Sequence, residues 1–171
     1  MLSDEEKFRF DLEGYLVIPG VLSASDCARL SQLSDEAWPR QPQDGAFRRT
    51  AAVSQWGDDF RNLMDHPVVL PYLIELIGPR VRLDHDYAIY MQNGASSQPI
   101  HGGPMRYESD HWYHYNDGIM RNGLMVATWA LSDAKPGDGG FVCVPGSHKT
   151  NFIHLLPKAA QSQQAMPEYV R

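Results

Sequence analysis

The side chains with the clearest potential for chemistry in this chain are its histidines, seven in all. Two imidazoles and a carboxylate on one face of a divalent metal leave the remaining positions open for reacting molecules. The first imidazole and the acid usually stand two residues apart, as His-x-Asp or His-x-Glu. No such pair occurs. His101 is followed by Gly102 and Gly103, His85 by Asp86 and Tyr87, and two residues beyond His111 and His114 stand Tyr113 and Asn116. A zinc site from His85, His111 and His114 needs three ligands within about 2.0–2.1 Å of one point, and their spacing does not demand it. Gly146-Ser147-His148 is followed by Lys149, so it is not a Gly-x-Ser-x-Gly nucleophile turn. Gly139-Gly140 is not followed by the Lys-Ser/Thr of a phosphate loop.

The elements that must position these residues are punctuated clearly. Ser3 with Glu6 forms a capping-box pattern and predicts a helix over 4–12, ended by Gly14. Tyr15 to Ile18 reads as a strand before Pro19-Gly20. Ser23 with Asp26 opens a second helix carrying Cys27, Leu30, Leu33 and Ala37. Asp65 and Pro67 start a third, over 67–77, which Gly78-Pro79 stops. Residues 81–92 then alternate, with His85, Tyr87, Ile89 and Met91 on one face, up to an Asn93-Gly94 turn. Residues 95–122 read as a long functional loop. Residues 124–131 read as a central strand, 141–144 as its return, and 151–165 as partly helical. Helices first and strands later imply an α+β arrangement, a helical layer over 1–80 and a sheet with its site loop over 81–171. The strand spacing permits a jelly roll, although periodicity alone does not choose it over another antiparallel sheet.

The bulk properties set limits. A chain of 171 residues, 43% apolar, is enough for one domain with a real core. Fifteen basic against 21 acidic residues give a net charge of −6. That balance argues against nonspecific binding to nucleic acid or to an anionic membrane surface. No apolar run approaches the roughly 20 residues of a membrane span, and residues 1–7 lack the basic and apolar regions of a signal peptide. Cys27 and Cys143 form no Cys-x-x-Cys spacing, so a reducing, cytoplasmic compartment is the expectation.

One succession of segments goes further. Ala88-Ile-Tyr-Met91 leads to Pro99-Ile-His101-Gly-Gly103. Met125-Val-Ala-Thr-Trp129 follows, then Gly139-Gly140 and Pro145-Gly-Ser-His148-Lys149, while Gly14-Tyr-Leu-Val-Ile-Pro19 stands near the start. This succession resembles the phytanoyl-CoA dioxygenase family of iron(II)/2-oxoglutarate oxygenases over nearly the whole chain. The resemblance implies a double-stranded β-helix, the cupin-like jelly roll, with N-terminal helices packed on it. It implies His101 as the first iron ligand, Met91 and Trp129 beside 2-oxoglutarate, and His148 as a structural hydrogen-bonder that does not touch the metal. The family's carboxylate position falls on Gly103. A chloride there would make the chain halogenase-like, and Glu108 or Asp110 could alternatively supply an acid. The second iron histidine and the cosubstrate arginine belong beyond Arg171, so a C-terminally shortened chain and an incomplete sheet are expected. The cofactors implied are iron(II) and 2-oxoglutarate. The implied reaction is hydroxylation of a small organic or acyl substrate, with Arg106, Tyr113 and Arg121 as substrate contacts. A noncatalytic binding module on the same scaffold is the rival reading. Oligomeric state is not legible.

Overall fold

The computed structural model describes residues 1–96, 101, 111–135, 138 and 140–150. The two capped helices form as their sequences dictate. In α1 (Asp4–Glu13) the Ser3 hydroxyl accepts the Glu6 amide at 3.2 Å and Glu6 accepts the Ser3 amide at 2.7 Å. Gly14, at φ 84°, closes the helix by donating its amide to the Phe10 carbonyl at 2.7 Å. In α2 (Ala24–Ala37) Ser23 and Asp26 repeat the box at 2.9 and 3.1 Å. Each box satisfies two amide donors that a helix start otherwise leaves unpaired.

Beyond α2 come strand β1 (Phe47–Ala51), a 3-10 turn (Val53–Trp56), the single-turn helix α3 (Asp58–Arg61) and α4 (Leu70–Ile77). Helix α4 starts three residues later than Pro67 suggests. The His66 carbonyl accepts both the Val69 and the Leu70 amides, at 2.9 and 2.8 Å, which makes 67–69 a turn. Regular helix begins only at Leu70, with Pro71 in the first turn, where a missing amide costs nothing. Gly78 ends α4 as expected.

Strand β2 (Tyr87–Met91) is shorter than the alternation over 81–92 implies. It pairs antiparallel with β1, from Phe47↔Met91 to Ala51↔Tyr87, and a strand persists only where it has a partner. Strands β3 (Tyr113–Asn116) and β4 (Ile119–Asn122) form a hairpin inside the segment expected to be all loop. Its turn is Asp117-Gly118, at φ 50° and 80°, the two positive values that a two-residue hairpin favours. Tyr15–Ile18, 124–131 and 141–144 were each expected as strands, and none is in a ladder among the described residues. The helical expectation over 151–165 lies outside the described residues. Among the described residues, what forms is a mixed helix-and-sheet structure with two short antiparallel ribbons.

The core lies between the helices and the hairpin. Leu2, Phe10 and Leu76 are 4%, 4% and 1% exposed, and Leu16, Tyr72, Tyr113, Met120 and Met125 pack on them. The Pro145-Gly-Ser-His-Lys149 turn docks on the same place. The Gly146 amide donates to the Glu13 carbonyl at 2.9 Å, Lys149 pairs with Asp11 at 3.1 Å, and the Tyr113 hydroxyl donates to Asp11. The His148 ring sits between those of Phe10 and Tyr113, with centroids 5.9 and 4.9 Å away. Its nitrogens are buried with no partner in normal hydrogen-bond geometry among the described residues, and the ring is held by packing.

Two outcomes follow for the full-length chain. A Cβ on residue 14 would lie 2.3 Å from the His148 Nδ1, and the positive φ is strained for alanine. Gly14→Ala should therefore destabilise the protein by about 2 kcal/mol or more, read from urea unfolding. His148→Ala in the same chain should recover part of that loss, and an unaffected midpoint in Gly14→Ala would refute the docking. Asp11 is held below the usual carboxylate range, first by the bond from Tyr113 and then by Lys149, against a partial burial penalty. Its contribution is thus complete above the ordinary value of about 4 and is lost as pH falls through the lower folded value. Asp11→Asn should lower stability at neutral pH and flatten the acid limb of the unfolding profile. An unchanged limb would show that the carboxylate does not stabilise the fold.

Candidate functional site

The sequence-derived site residues fall on three parts of the structure. Met91 is the last residue of β2, opposite Phe47, and is 41% exposed. His101 is exposed and precedes residues 102–110, which lie outside the described residues. Gly103, Arg106, Glu108 and Asp110 are all among those residues. Trp129 is half-buried in the unladdered 124–131 segment. Its ring meets the His66 ring edge-on, with centroids 5.2 Å apart. His66 Nδ1 accepts the Val68 amide at 3.3 Å, which ties the contact to the turn leading into α4. The tryptophan is thus held from the helical side.

Tyr113 and Arg121 both sit on the β3–β4 hairpin, and the helical layer engages the polar tips of both. The Tyr113 hydroxyl is given to Asp11, and burial, together with that bond, pushes the phenol far above its ordinary range. It stays protonated as a donor. Arg121 gives Nη1 to the Glu75 carbonyl at 2.9 Å and to the Met120 carbonyl at 2.7 Å. The Asn122 amide reaches the Leu76 carbonyl at 3.0 Å. Together they cap the last carbonyls of α4, where a cation also suits the helix dipole. A cleft of about 230 Å³ opens beside them, lined by Lys7, Glu75, Leu76 and 118–121. Glu75 there is saturated, by the Leu2 amide at 2.6 Å and by Lys7 at 3.1 Å. These contacts make Arg121 and Tyr113 the fasteners of the hairpin.

Among the described residues no three His, Cys, Asp or Glu side chains converge, so His85, His111 and His114 form no zinc site. His85 instead bonds Asp84 at 2.8 Å and stacks on Tyr87, and His114 meets the Trp112 ring. For iron, His101 is the one expected ligand that lies among the described residues, and a single imidazole is too few to hold it. The described residues by themselves do not fit the metal.

Sequence reasoning missed β1 and with it Arg49, whose side chain shares the open face of Met91. The segment Phe47-Arg-Arg-Thr-Ala51 has no clean alternation to reveal it. The β3–β4 hairpin did carry a signal, the Asp117-Gly118 dipeptide between aromatic and apolar residues.

Comparison with known proteins adds to this geometry. The family model described as phytanoyl-CoA dioxygenase matches residues 10–167. The ectoine dioxygenase of Stutzerimonas stutzeri (strain A1501) is 25% identical over 153 residues, covering 82% of this chain and 49% of its own length. The chain thus spans about half the length of that curated relative. The crystal structure of HygX from Streptomyces hygroscopicus with nickel and 2-oxoglutarate bound superposes over 100% of this chain and 73% of its own, at a TM-score of 0.78 and 21% identity. Its form with nickel, 2-oxoglutarate and hygromycin B bound gives 0.73 at 23% identity, over 99% of this chain and 73% of that one. The match over most of the length, spanning His101, Trp129 and the Pro-Gly-Ser-His turn, places this chain in the phytanoyl-CoA dioxygenase family.

Proposed function

We propose that the full-length protein is a non-haem iron(II)/2-oxoglutarate-dependent dioxygenase that hydroxylates a small organic substrate. The family match over residues 10–167 carries the reading. His101 is the proposed first metal ligand, with Met91 and Trp129 bordering the cosubstrate. Bound iron(II), with dioxygen and 2-oxoglutarate, would supply oxidation of an unactivated C–H bond, the keto acid leaving as succinate and carbon dioxide. This chain's own part is positional. The His66 contact orients Trp129, and the β1 pairing fixes which way Met91 faces. Arg106, five residues after His101, is proposed to meet the substrate directly. Tyr113 and Arg121 are proposed to shape the substrate side through the hairpin they fasten.

We read the two ribbons as parts of one double-stranded β-helix, supported by the TM-score of 0.78 over the whole chain. The relatives' names mention small molecules, ectoine and hygromycin B, and the same class is proposed here. No helix among the described residues is long and apolar enough to cross a membrane. A cytoplasmic location is proposed from the two free cysteines.

Full-length protein given iron(II), oxygen and a panel of small organic molecules should release succinate from 2-oxoglutarate. In chloride buffer the product should gain oxygen and no halogen. His101→Ala should lower that release by about a hundredfold or more, because loss of a ligand outweighs the 10–100-fold typical of its supporting groups. Trp129→Ala should raise the 2-oxoglutarate KM. Release that ignores iron, or equal release by His101→Ala, would overturn the assignment.

A further inference from the structure

The β1–β2 ribbon has two unlike faces. Arg48 opposes Tyr90 and Thr50 opposes Ala88 on one; Phe47 opposes Met91, Arg49 opposes Ile89 and Ala51 opposes Tyr87 on the other. The first face is packed. Arg48 is 8% exposed, its guanidinium 4.2 Å from the Trp38 ring centroid and 4.7 Å from that of Tyr90. The second face is open, with Ile89 46% and Met91 41% exposed. Side chains alternate across a strand, so whatever space Met91 borders, Ile89 and Arg49 border too.

Arg49 is the cation of that apolar and aromatic face. Its guanidinium lies 4.1 Å from the Tyr87 ring centroid. No carboxylate pairs with it among the described residues, and nearby in sequence Asp84 is engaged by His85. Stacking on an aromatic ring holds a guanidinium flat and leaves its in-plane N–H edges available for a two-pronged bond. Carboxylate and phosphate oxygens match that fork. An apolar wall with one well-placed cation is the usual make-up of a site for an organic anion.

We propose that Arg49 is a substrate-binding residue, receiving a carboxylate or phosphate group of the molecule that the protein oxidises. This rests on the oxygenase reading and on Met91 bordering the cosubstrate. Phe47 and Ile89 border the same molecule's apolar part.

The test uses full-length protein loaded with nickel(II), so that no turnover occurs, with propionate and inorganic phosphate as separate probes. Calorimetric titration first measures 2-oxoglutarate, then each probe on the 2-oxoglutarate complex. Wild type should bind at least one probe, and which one identifies the acid group. Arg49→Met should weaken that binding about tenfold or more, the loss expected for a charge-assisted bond. Arg49→Lys should fall between, and both variants should keep the wild-type affinity for 2-oxoglutarate and the wild-type unfolding midpoint. Probe binding unaffected by Arg49→Met overturns the proposal, and so does a wild type that binds neither probe. A matching loss of 2-oxoglutarate affinity would assign the arginine to the cosubstrate and equally overturn it. Wild type unable to bind 2-oxoglutarate would bring down the oxygenase reading itself, which separates the two failures.

Discussion

Among the described glycines, the one most tightly approached by another side chain is Gly14, where an added Cβ would lie 2.3 Å from the His148 Nδ1, and the arrangement around it depends on that approach. Three stretches far apart in sequence meet there: the end of α1, strand β3 and the Pro-Gly-Ser-His turn. The contributions are unequal. The Lys149–Asp11 pair is over a third exposed on both sides and adds little. The Tyr113–Asp11 bond is charge-assisted and part-buried, worth about 1.5–3 kcal/mol by analogy with bonds to charged groups. Packing the imidazole between two aromatic rings adds about 0.5–1.5 kcal/mol for each good pair. Burial also favours the neutral ring, the form that can rest without a partner for its nitrogens at the least cost. The turn is therefore held by contacts that tolerate no side chain at position 14.

A second constraint fixes the other ribbon. Residues 48 and 49 are both arginine, so charge alone does not decide which faces inward. A one-residue slip would exchange them and turn every side chain of β1 over. The cage decides. Arg48 finds the adjacent Trp38 and Tyr90 rings at 4.2 and 4.7 Å, Asp44 at 3.1 Å and the Trp38 carbonyl at 3.5 Å. A buried guanidinium is a weak stabiliser in net terms, since its desolvation offsets what the partners return. It is a strong discriminator, because the slipped register would bury an arginine whose partners are aimed elsewhere. The register that buries Arg48 is the one that leaves Arg49, Ile89 and Met91 on the open face.

What was legible in the sequence was local. Both capping boxes and the Gly14 stop lie within four residues of the group they satisfy, and these and the Gly78 stop formed as read. Strands depend on a partner elsewhere in the chain, and there the reading failed in both directions. Alternation over 81–92 overstated β2, since only five of its residues meet β1. Apolar content at 124–131 suggested a central strand, yet Val126 is 64% exposed. The β3–β4 hairpin was overlooked because its residues are polar and aromatic, although its turn dipeptide was in plain view. For the site, spacing identified no metal ligand. His101 emerged only through likeness to a family, and Arg49 stayed hidden because its strand has no period to betray it.

Perturbed ionisation would have pointed to a different place. Shifted side chains often mark a reactive site, and among the described residues Asp11, Tyr113 and His148 shift together in one half-buried cluster. Their geometry argues for a fastening. The carboxylate and the phenol are spent on each other, and the imidazole is covered by two rings. A catalytic acid or base must reach a reacting atom, and these groups face the packing that shifts them. Arg49 shows the opposite arrangement, a permanent charge on an open face with its donor edges unspent by any carboxylate among the described residues. In this fold the shifted groups hold the scaffold together, and the charge proposed for recognition stands apart from them on the open face of the β1–β2 ribbon.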